Sequence, residues 1–141
     1  MIDLTNYKTG DIDLSDTDIV ELPPNISHVR GDLKLTNSKI KKLPEKLTVT
    51  GSMVIRNCPL QKLPEYLRVE EILAIDENSP INEIPKHLKM GEHGLIKCTL
   101  SNFVKFPPVK FHYVLDIRKN DRSKEYYSME EIYADYPNLK E

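Results

Sequence analysis

The sequence predicts a right-handed solenoid in which short parallel β-strands stack and are joined by extended returns and turns. Two features of the sequence support this fold class. An apolar residue followed by proline recurs every 20 to 22 residues, at Leu22, Leu43, Leu63, Ile84 and Phe106. Each of these residues follows an alternating apolar pair. In four of the five cases one residue separates the pair from a preceding glycine. Self-similarity at a fixed period in the low twenties is typical of a repeat protein.

The repeats divide the chain into three parts of a single domain. Residues 1–9 are predicted as an N-terminal cap strand, residues 10–113 as about five repeats, and residues 114–141 as a last strand with a C-terminal cap. The alternating pairs are Ile12/Leu14, Leu33/Leu35, Met53/Ile55, Leu73/Ile75 and Ile96/Cys98. Such alternation predicts a short strand with one buried face. Because one unit buries so few side chains, each strand is expected to pair in parallel with the next copy.

A second apolar pair stands just before each proline. These pairs are Ile19/Leu22, Ile40/Leu43, Leu60/Leu63, Ile81/Ile84 and Phe103/Phe106. Proline forbids a continuing helix at this point and favours an extended return. Between the two pairs lie small groups that are expected to satisfy backbone atoms in a tight turn, namely Thr17, Ser38, Cys58 and Ser101. Cys58 is therefore interpreted as a structural thiol.

The repeats resemble a known family in the segments LKLTNSKIKKLPEKL, MVIRNCPLQKLPEYL and LAIDENSPINEIPKHL. Their L-x-L strand, Asn-containing turn and L-x-x-L-P segment are similar to short bacterial leucine-rich repeats, and also to Gly-x-Leu-x-Leu repeats of bacterial and tailed-phage proteins. The resemblance covers residues 10–113 and implies a small phage or bacterial inhibitor or modulator that binds a host protein in the host cytoplasm. Some secreted relatives carry a ubiquitin-ligase Cys-x-Asp motif, which neither Cys58 nor Cys98 matches.

The C-terminal part is predicted to close the solenoid. Leu115 and Ile117 are expected to point inward from the last strand. Ser128 and Glu131 form a capping-box pattern that predicts a short helix ending before Pro137. The four nearby tyrosines, which either seal the last repeat or form a binding patch, are Tyr126, Tyr127, Tyr133 and Tyr136.

Composition and motifs predict a cytoplasmic protein without catalytic activity. The formal net charge is −2, which gives no overall attraction to nucleic acid or to an anionic membrane. No stretch is apolar enough for a membrane-spanning helix, and the N-terminus has no signal-peptide pattern. The chain has no phosphate-binding loop and no zinc or nucleophile motif, and its two cysteines are not paired as a metal or redox site requires. These features predict a chain without enzyme activity, cofactor or metal.

Reading the outward positions down the repeats predicts a surface. This face changes from acidic at Asp11, Asp13 and Asp32 to apolar in the later repeats. The predicted partner-binding residues are Val54, Arg56, Ile72, Ala74, Asp76, Leu95, Lys97 and Val114. Exposed apolar surface bordered by charge commonly marks a protein contact, so the sequence predicts a protein–protein interaction module. Two alternatives stay open: the C-terminal segment folds over this surface, or two copies meet through it as a homodimer.

A basic strip is predicted on the return side. Its members are Lys39, Lys41, Lys42, Lys46, Lys62 and Arg68. The strip is interpreted as solvated surface, partly balanced by Glu45 and Glu65. Weak nucleic-acid binding is the minor alternative, because no aromatic residues are interleaved with these cations.

Overall fold

The computed structural model of the protein describes residues 7–105, 114–120 and 122–139. Within these ranges the chain forms a β-solenoid of about five turns with parallel strands and few helices. One turn of the solenoid is called a coil below. The predicted N-terminal cap lies largely in residues 1–6, outside the described residues. Tyr7 is described, and its hydroxyl donates to the carbonyl of Gly10 at 2.6 Å and accepts from the backbone N–H of Arg30 at 2.7 Å.

Two sheets carry the coils. The seven-stranded sheet contains, in spatial order, β1 (Ile12–Asp13), β3 (Leu33–Lys34), β5 (Met53–Ile55), β7 (Ile72–Ile75), β9 (Leu95–Thr99), β10 (Val114–Lys119) and β11 (Arg122–Tyr126). The four-stranded sheet contains β2 (His28–Val29), β4 (Lys46–Val49), β6 (Tyr66–Val69) and β8 (Lys89–Met90). Every pairing between these strands is parallel except that of β10 with β11.

The seven-stranded sheet confirms the predicted strand pattern. Leu33 pairs with Met53, and Met53 pairs with Leu73, so equivalent residues of successive coils lie side by side. All ten residues of the predicted alternating pairs are buried. Burial of one face fixes this register, because a slip by one residue would turn every inward side chain to solvent.

The four-stranded sheet differs from the extended returns that the sequence predicted. Its strands alternate in burial, with Leu47 and Val49 inward in β4 and Leu67 and Val69 inward in β6. The preceding Pro44 excludes a helix, as predicted, and the chain then enters a regular ladder. The inward residues of both sheets belong to one hydrophobic core, which accounts for the stability of such short strands.

The second apolar pairs also enter this core. Their buried members are Leu22, Ile40, Leu43, Leu60, Leu63, Ile81 and Ile84. Ile19 and Phe103 are only partly buried, and Phe106 lies outside the described residues.

The turns between the pairs have a repeating left-handed residue. Asp16, Asn37 and Asn57 have φ values of 58°, 54° and 48°. Asparagine and aspartate tolerate this conformation better than other non-glycine residues. The Asn57 side-chain amide donates to the Asn37 side-chain oxygen at 2.8 Å, and that of Asn37 donates to Asp16 at 3.1 Å. Side chains thus link one turn to the next.

The predicted column of small turn residues holds for Thr17, whose hydroxyl donates to the carbonyl of Leu14 at 2.7 Å, and for Ser38 and Cys58, but not for Ser101. Ser38 and Cys58 are buried, and the Ser38 hydroxyl lies 3.4 Å from the Cys58 sulfur. Ser79 continues this buried series, whereas Ser101 is exposed. Ser101 lies in a short helix that was not predicted, α1 (Leu100–Phe103), which begins with a capping box between Thr99 and Asn102.

The C-terminal part closes the seven-stranded sheet with a hairpin and a helix. Leu115 and Ile117 of β10 are buried, as predicted. The predicted helix is α2 (Met129–Asp135), with the expected capping box between Ser128 and Glu131, and a short 3₁₀ helix (Pro137–Leu139) follows it. Strand β11 was not predicted, because its sequence RSKEY lacks alternating apolar residues.

Candidate functional site

The outer face is defined here as the surface formed by the outward side chains of β5, β7, β9, β10 and β11. The register brings Ile72, Leu95 and Val114 side by side, which is the apolar row that the sequence predicted. A second row aligns Val54, Ala74, Lys97 and Asp116 across the same strands. The parallel ladder therefore places the predicted partner-binding residues on one continuous surface.

The side chains of the apolar row are less exposed than the sequence predicted. Ile72, Leu95 and Val114 are half-buried, as are Val54 and Ala74. The remaining predicted residues differ in exposure, since Arg56 and Lys97 are exposed and Asp76 is half-buried. The outer face consequently presents apolar strips between charged side chains.

A groove of about 410 Å³ crosses the outer face beside the apolar row. Its lining includes the small residue Ala74 together with charged residues from four neighbouring strands and their ends, namely Arg56, Asp76, Glu77, Lys97, Asp116 and Arg118. Four of the eight predicted binding residues line this groove. The columns of residues follow from the repeat, whereas the depression between them was not predicted.

The cations of the groove are available for new contacts. The side chains of Arg56, Lys97 and Arg118 form no hydrogen bond or ion pair with any residue that the structure describes. Guanidinium groups are well suited to bind carboxylates through two parallel hydrogen bonds. The groove can therefore receive acidic groups of a ligand without first breaking an internal salt bridge.

Asp76 adds an acceptor to the groove. Its Oδ2 accepts a hydrogen bond from the backbone N–H of Asn57 at 3.2 Å. Its Oδ1 is buried and has no hydrogen-bond partner among the described residues. An unpaired buried carboxylate oxygen is energetically unfavourable, and a ligand donor could reach it only if the Asp76 side chain rotated toward the groove.

The acidic end of the face has a structural role that the sequence analysis missed. Asp11 Oδ1 accepts from the backbone N–H of Asp32 at 2.8 Å, and Asp32 Oδ1 accepts from that of Ser52 at 2.8 Å. The hydroxyl of Ser52 continues the series by accepting from the backbone N–H of Ile72 at 3.2 Å. These side chains join consecutive coils, so Asp11 and Asp32 are only partly free for a ligand.

The described C-terminal helix packs on the core side of the sheet. Tyr126 and Lys124 lie on the same side of β11 as the buried Leu115 and Ile117 with which they pair. Asp135 of α2 accepts hydrogen bonds at 2.7 Å from both the Tyr126 hydroxyl and the Lys124 ammonium. The helix therefore covers the end of the core and leaves the outer face open.

The tyrosines near the C-terminus divide between the two predicted roles. Tyr126 is fully buried and seals the core, whereas Tyr127 is 63% exposed. Tyr133 and Tyr136 are half-buried, and the ring of Tyr136 lies 6.5 Å from that of Tyr126. One of the four tyrosines thus belongs to the hydrophobic core, two are partly buried, and one is exposed at the surface.

The thiols are poorly placed for nucleophilic chemistry. Burial and, to a smaller extent, the nearby Asp116 carboxylate together raise the pKa of Cys98 to about 12. A thiol with such a pKa stays protonated near neutral pH. Cys58 is also buried, and its sulfur donates to the carbonyl of Ile40 at 3.4 Å.

The described residues contain neither a metal-binding cluster of side chains nor a membrane-spanning helix. Across residues 7–105, 114–120 and 122–139, no group of three or more His, Cys, Asp or Glu side chains is arranged to hold a metal ion. No helix in the described part of the chain has the length and apolar character needed to cross a membrane.

The predicted basic strip is divided in the structure. Lys39 pairs with Asp18 at 3.2 Å, and Arg68 pairs with Glu70. The other members, Lys41, Lys42, Lys46 and Lys62, line a separate groove of about 900 Å³ that shares no residue with the outer-face groove and also contains prolines of three coils.

Comparison with known proteins adds no functional assignment. The chain matches no protein family, no curated protein and no solved structure.

Proposed function

We propose that this chain is a non-enzymatic protein-interaction module that binds its partner through the outer face. The observation that carries the proposal is the groove next to the apolar row, where three cations that pair with no described residue lie among carboxylates around Ala74. Mixed apolar and charged surface of this kind resembles a protein–protein interface more than a small-molecule pocket, which is usually concave and mostly apolar.

The charge pattern of the groove favours an extended peptide segment as the contacting part of the partner. Arg56 and Asp76 lie on adjacent coils, and so do Lys97 and Asp116. Neighbouring strands are about 4.8 Å apart, so opposite charges alternate at short intervals across the face. A segment with acidic and basic side chains in matching order would pair with both signs, and wrong partners would meet like charges.

The repeat pattern supports the finer parts of the proposal. The solenoid is proposed to be right-handed and of the leucine-rich-repeat type, which rests on the resemblance of residues 10–113 to short bacterial and phage repeats. On the same basis the protein is proposed to be of phage or bacterial origin and to inhibit or modulate a host protein in the cytoplasm. The burial of both thiols and the raised pKa of Cys98 support a role without catalysis.

The test compares two charge reversals in the same column of the outer face. Lys97→Glu changes the groove, and Lys34→Glu changes an equally exposed lysine in an earlier coil. The partner is first identified by affinity capture from cells of the native host with mass spectrometry, and its affinity is then measured by calorimetry with purified proteins. A central contact is worth about 1.4 kcal/mol or more, so Lys97→Glu should weaken binding roughly tenfold. Lys34→Glu should leave the affinity within about twofold.

A second variant tests the apolar row. The double substitution Ile72→Asp/Leu95→Asp should abolish binding, provided that the circular dichroism spectrum shows an intact fold. Equal effects of the two lysine reversals, or full binding by the folded double variant, would refute the outer face as the binding surface. A dimer seen by light scattering that these substitutions dissociate would replace the partner protein with a second copy of the chain.

A further inference from the structure

The second sheet has an outward surface of a different character. This surface, called the basic face, consists of the outward residues of the four-stranded sheet and of His87, which precedes β8. Its exposed cations are Lys46, Arg68 and Lys89, each on a different strand. The other outward residues of these strands are His28, Thr48 and Tyr66. Among the outward residues of these four described strands there is no carboxylate, so positive charge dominates locally although the whole chain has a net charge of −2.

An exposed aromatic pair lies in the middle of the basic face. The rings of Tyr66 and His87 stack with their centroids 4.9 Å apart and their planes inclined by 12°. Tyr66 is 50% exposed, which is unusual for a large aromatic side chain that packs on a neighbour. The sequence alone does not reveal this contact, because the two residues lie 21 positions apart and meet only when consecutive coils stack.

The basic face continues into the lysine-lined groove. Lys46 belongs to both, and Lys41, Lys42 and Lys62 lie further along the groove. The groove lining also includes the carboxylates of Glu45, Glu65 and Glu83, which partly offset its lysines. Glu65 lies 3.8 Å from His87, and Glu70 pairs with Arg68. Arg68 uses its Nε–H for Glu70, which leaves the other guanidinium donors for a further anion.

We propose that the basic face binds single-stranded nucleic acid. Lys46, Arg68 and Lys89 contact successive phosphates, and an unpaired base stacks on the Tyr66 ring. Proteins that bind single strands combine a positively charged groove with exposed aromatic rings, and this face has both. The bases of a duplex are stacked on each other and cannot reach a ring on a flat sheet, which restricts the proposal to single strands. This second activity is independent of the outer face, because no residue is shared.

The test measures the binding of a fluorescein-labelled thymidine decamer by fluorescence anisotropy. Three phosphate contacts with a single strand predict a fall in affinity of about 20-fold when the salt concentration rises from about 50 to about 200 mM. Loss of one base-stacking contact in Tyr66→Ala should weaken binding roughly tenfold. Tyr66→Phe keeps the ring and should bind like the parent. Tyr127→Ala, which removes another exposed tyrosine elsewhere (63% exposed against 50% for Tyr66), is the control and should also bind like the parent.

Three results would overturn the proposal. The first is no binding of the decamer at the lower salt concentration. The second is equal affinity of the Tyr66→Ala variant and the parent. The third is equally strong competition by the corresponding duplex or by heparin, which would show attraction to any polyanion without recognition of a base. None of these outcomes affects the outer face, because the Lys97 and Lys34 variants are tested with a different ligand.

Discussion

Replacing Gly51 with alanine should destabilise the solenoid strongly, although the added group is only a methyl. A Cβ at this position would lie 2.1 Å from Asp32 Oδ1 and 2.9 Å from the carbonyl carbon and oxygen of Gly31. The Asp32 side chain would have to move, and its hydrogen bond from the backbone N–H of Ser52, now 2.8 Å long, would be lost. The backbone of Gly31 cannot move away without separating the two coils.

The expected loss combines two effects. Overpacking against fixed backbone costs about 2 kcal/mol. Loss of a half-exposed, charge-assisted hydrogen bond costs about 1 kcal/mol. Unfolding entropy is about 2.1 cal/mol/K per residue, which gives about 0.3 kcal/mol/K for a chain of this length. A total of about 3 kcal/mol therefore corresponds to a decrease in Tm of about 10 °C.

Thermal unfolding followed by circular dichroism measures this decrease. Thr50→Ala, at the exposed neighbouring position, serves as the matched control and should change the Tm little. Asp32→Ala alone should cost about 1 kcal/mol, and the double variant Asp32→Ala/Gly51→Ala should cost less than the sum of the two, because both single variants lose the same hydrogen bond. A decrease of less than about 3 °C in Gly51→Ala, or strict additivity, would refute the proposed contact.

Three further predictions concern other parts of the fold. Asn57→Ala should lower the urea midpoint more than Asn57→Gly, because both lose the side-chain bond but only alanine is strained at a φ of 48°; equal midpoints would contradict this reason. Cys58→Ser should change the free energy of unfolding little, since other coils have a hydroxyl at that position. Cys98→Ser should cost about 2 kcal/mol, because it places an unpaired hydroxyl in the core. A larger loss for Cys58→Ser than for Cys98→Ser in urea unfolding would refute this prediction. Hydrogen bonds, first from Lys124, hold the pKa of Asp135 below its ordinary value of 3.8. The folded state therefore gains stability from this carboxylate above pH 3.8 and loses that stability as the pH falls through the lowered pKa. When Tm is measured at decreasing pH, it should fall less in Asp135→Asn than in the parent.

The sequence was informative wherever one short pattern determines both burial and position. The pairs that begin each repeat alternate with period two, and burial of that face leaves one register for residues such as Leu33 and Met53. The capping box at Ser128 was equally clear, because its bonds are local and span three residues. These parts of the fold could be read without knowing the contacts between coils.

Other features depend on contacts that only stacking creates. The alternation of Leu47 and Val49 is too short to distinguish a strand from an extended return, and only its ladder with Leu67 and Val69 decides. Asp32 looks like a surface charge in the sequence, but in the fold its carboxylate holds the next coil. Strand β11 is polar along most of its length, since it is an edge strand held by pairing with β10.

The candidate site shows the same division. The columns that contain Ile72 and Lys97 follow directly from the repeat, so the residues of the outer face could be predicted. The groove depends on the small volume of Ala74 between longer neighbours and on the packing of α2 on the core side. The stacked Tyr66 and His87 likewise depend on the coil spacing, which no single repeat reveals.

The contact between Asp32 and Gly51 also has an evolutionary consequence. Asp11 contacts Gly31 in the same way. Residues 31–50 therefore contain a glycine that fits the aspartate of the preceding coil and an aspartate, Asp32, that fits the glycine of the following coil. A tandem duplication of this segment in the gene would insert a complete coil whose two boundaries match those already present. Each such event would lengthen both sheets by about 4.8 Å, so recombination could adjust the size of the two faces in whole-coil steps without redesigning the core.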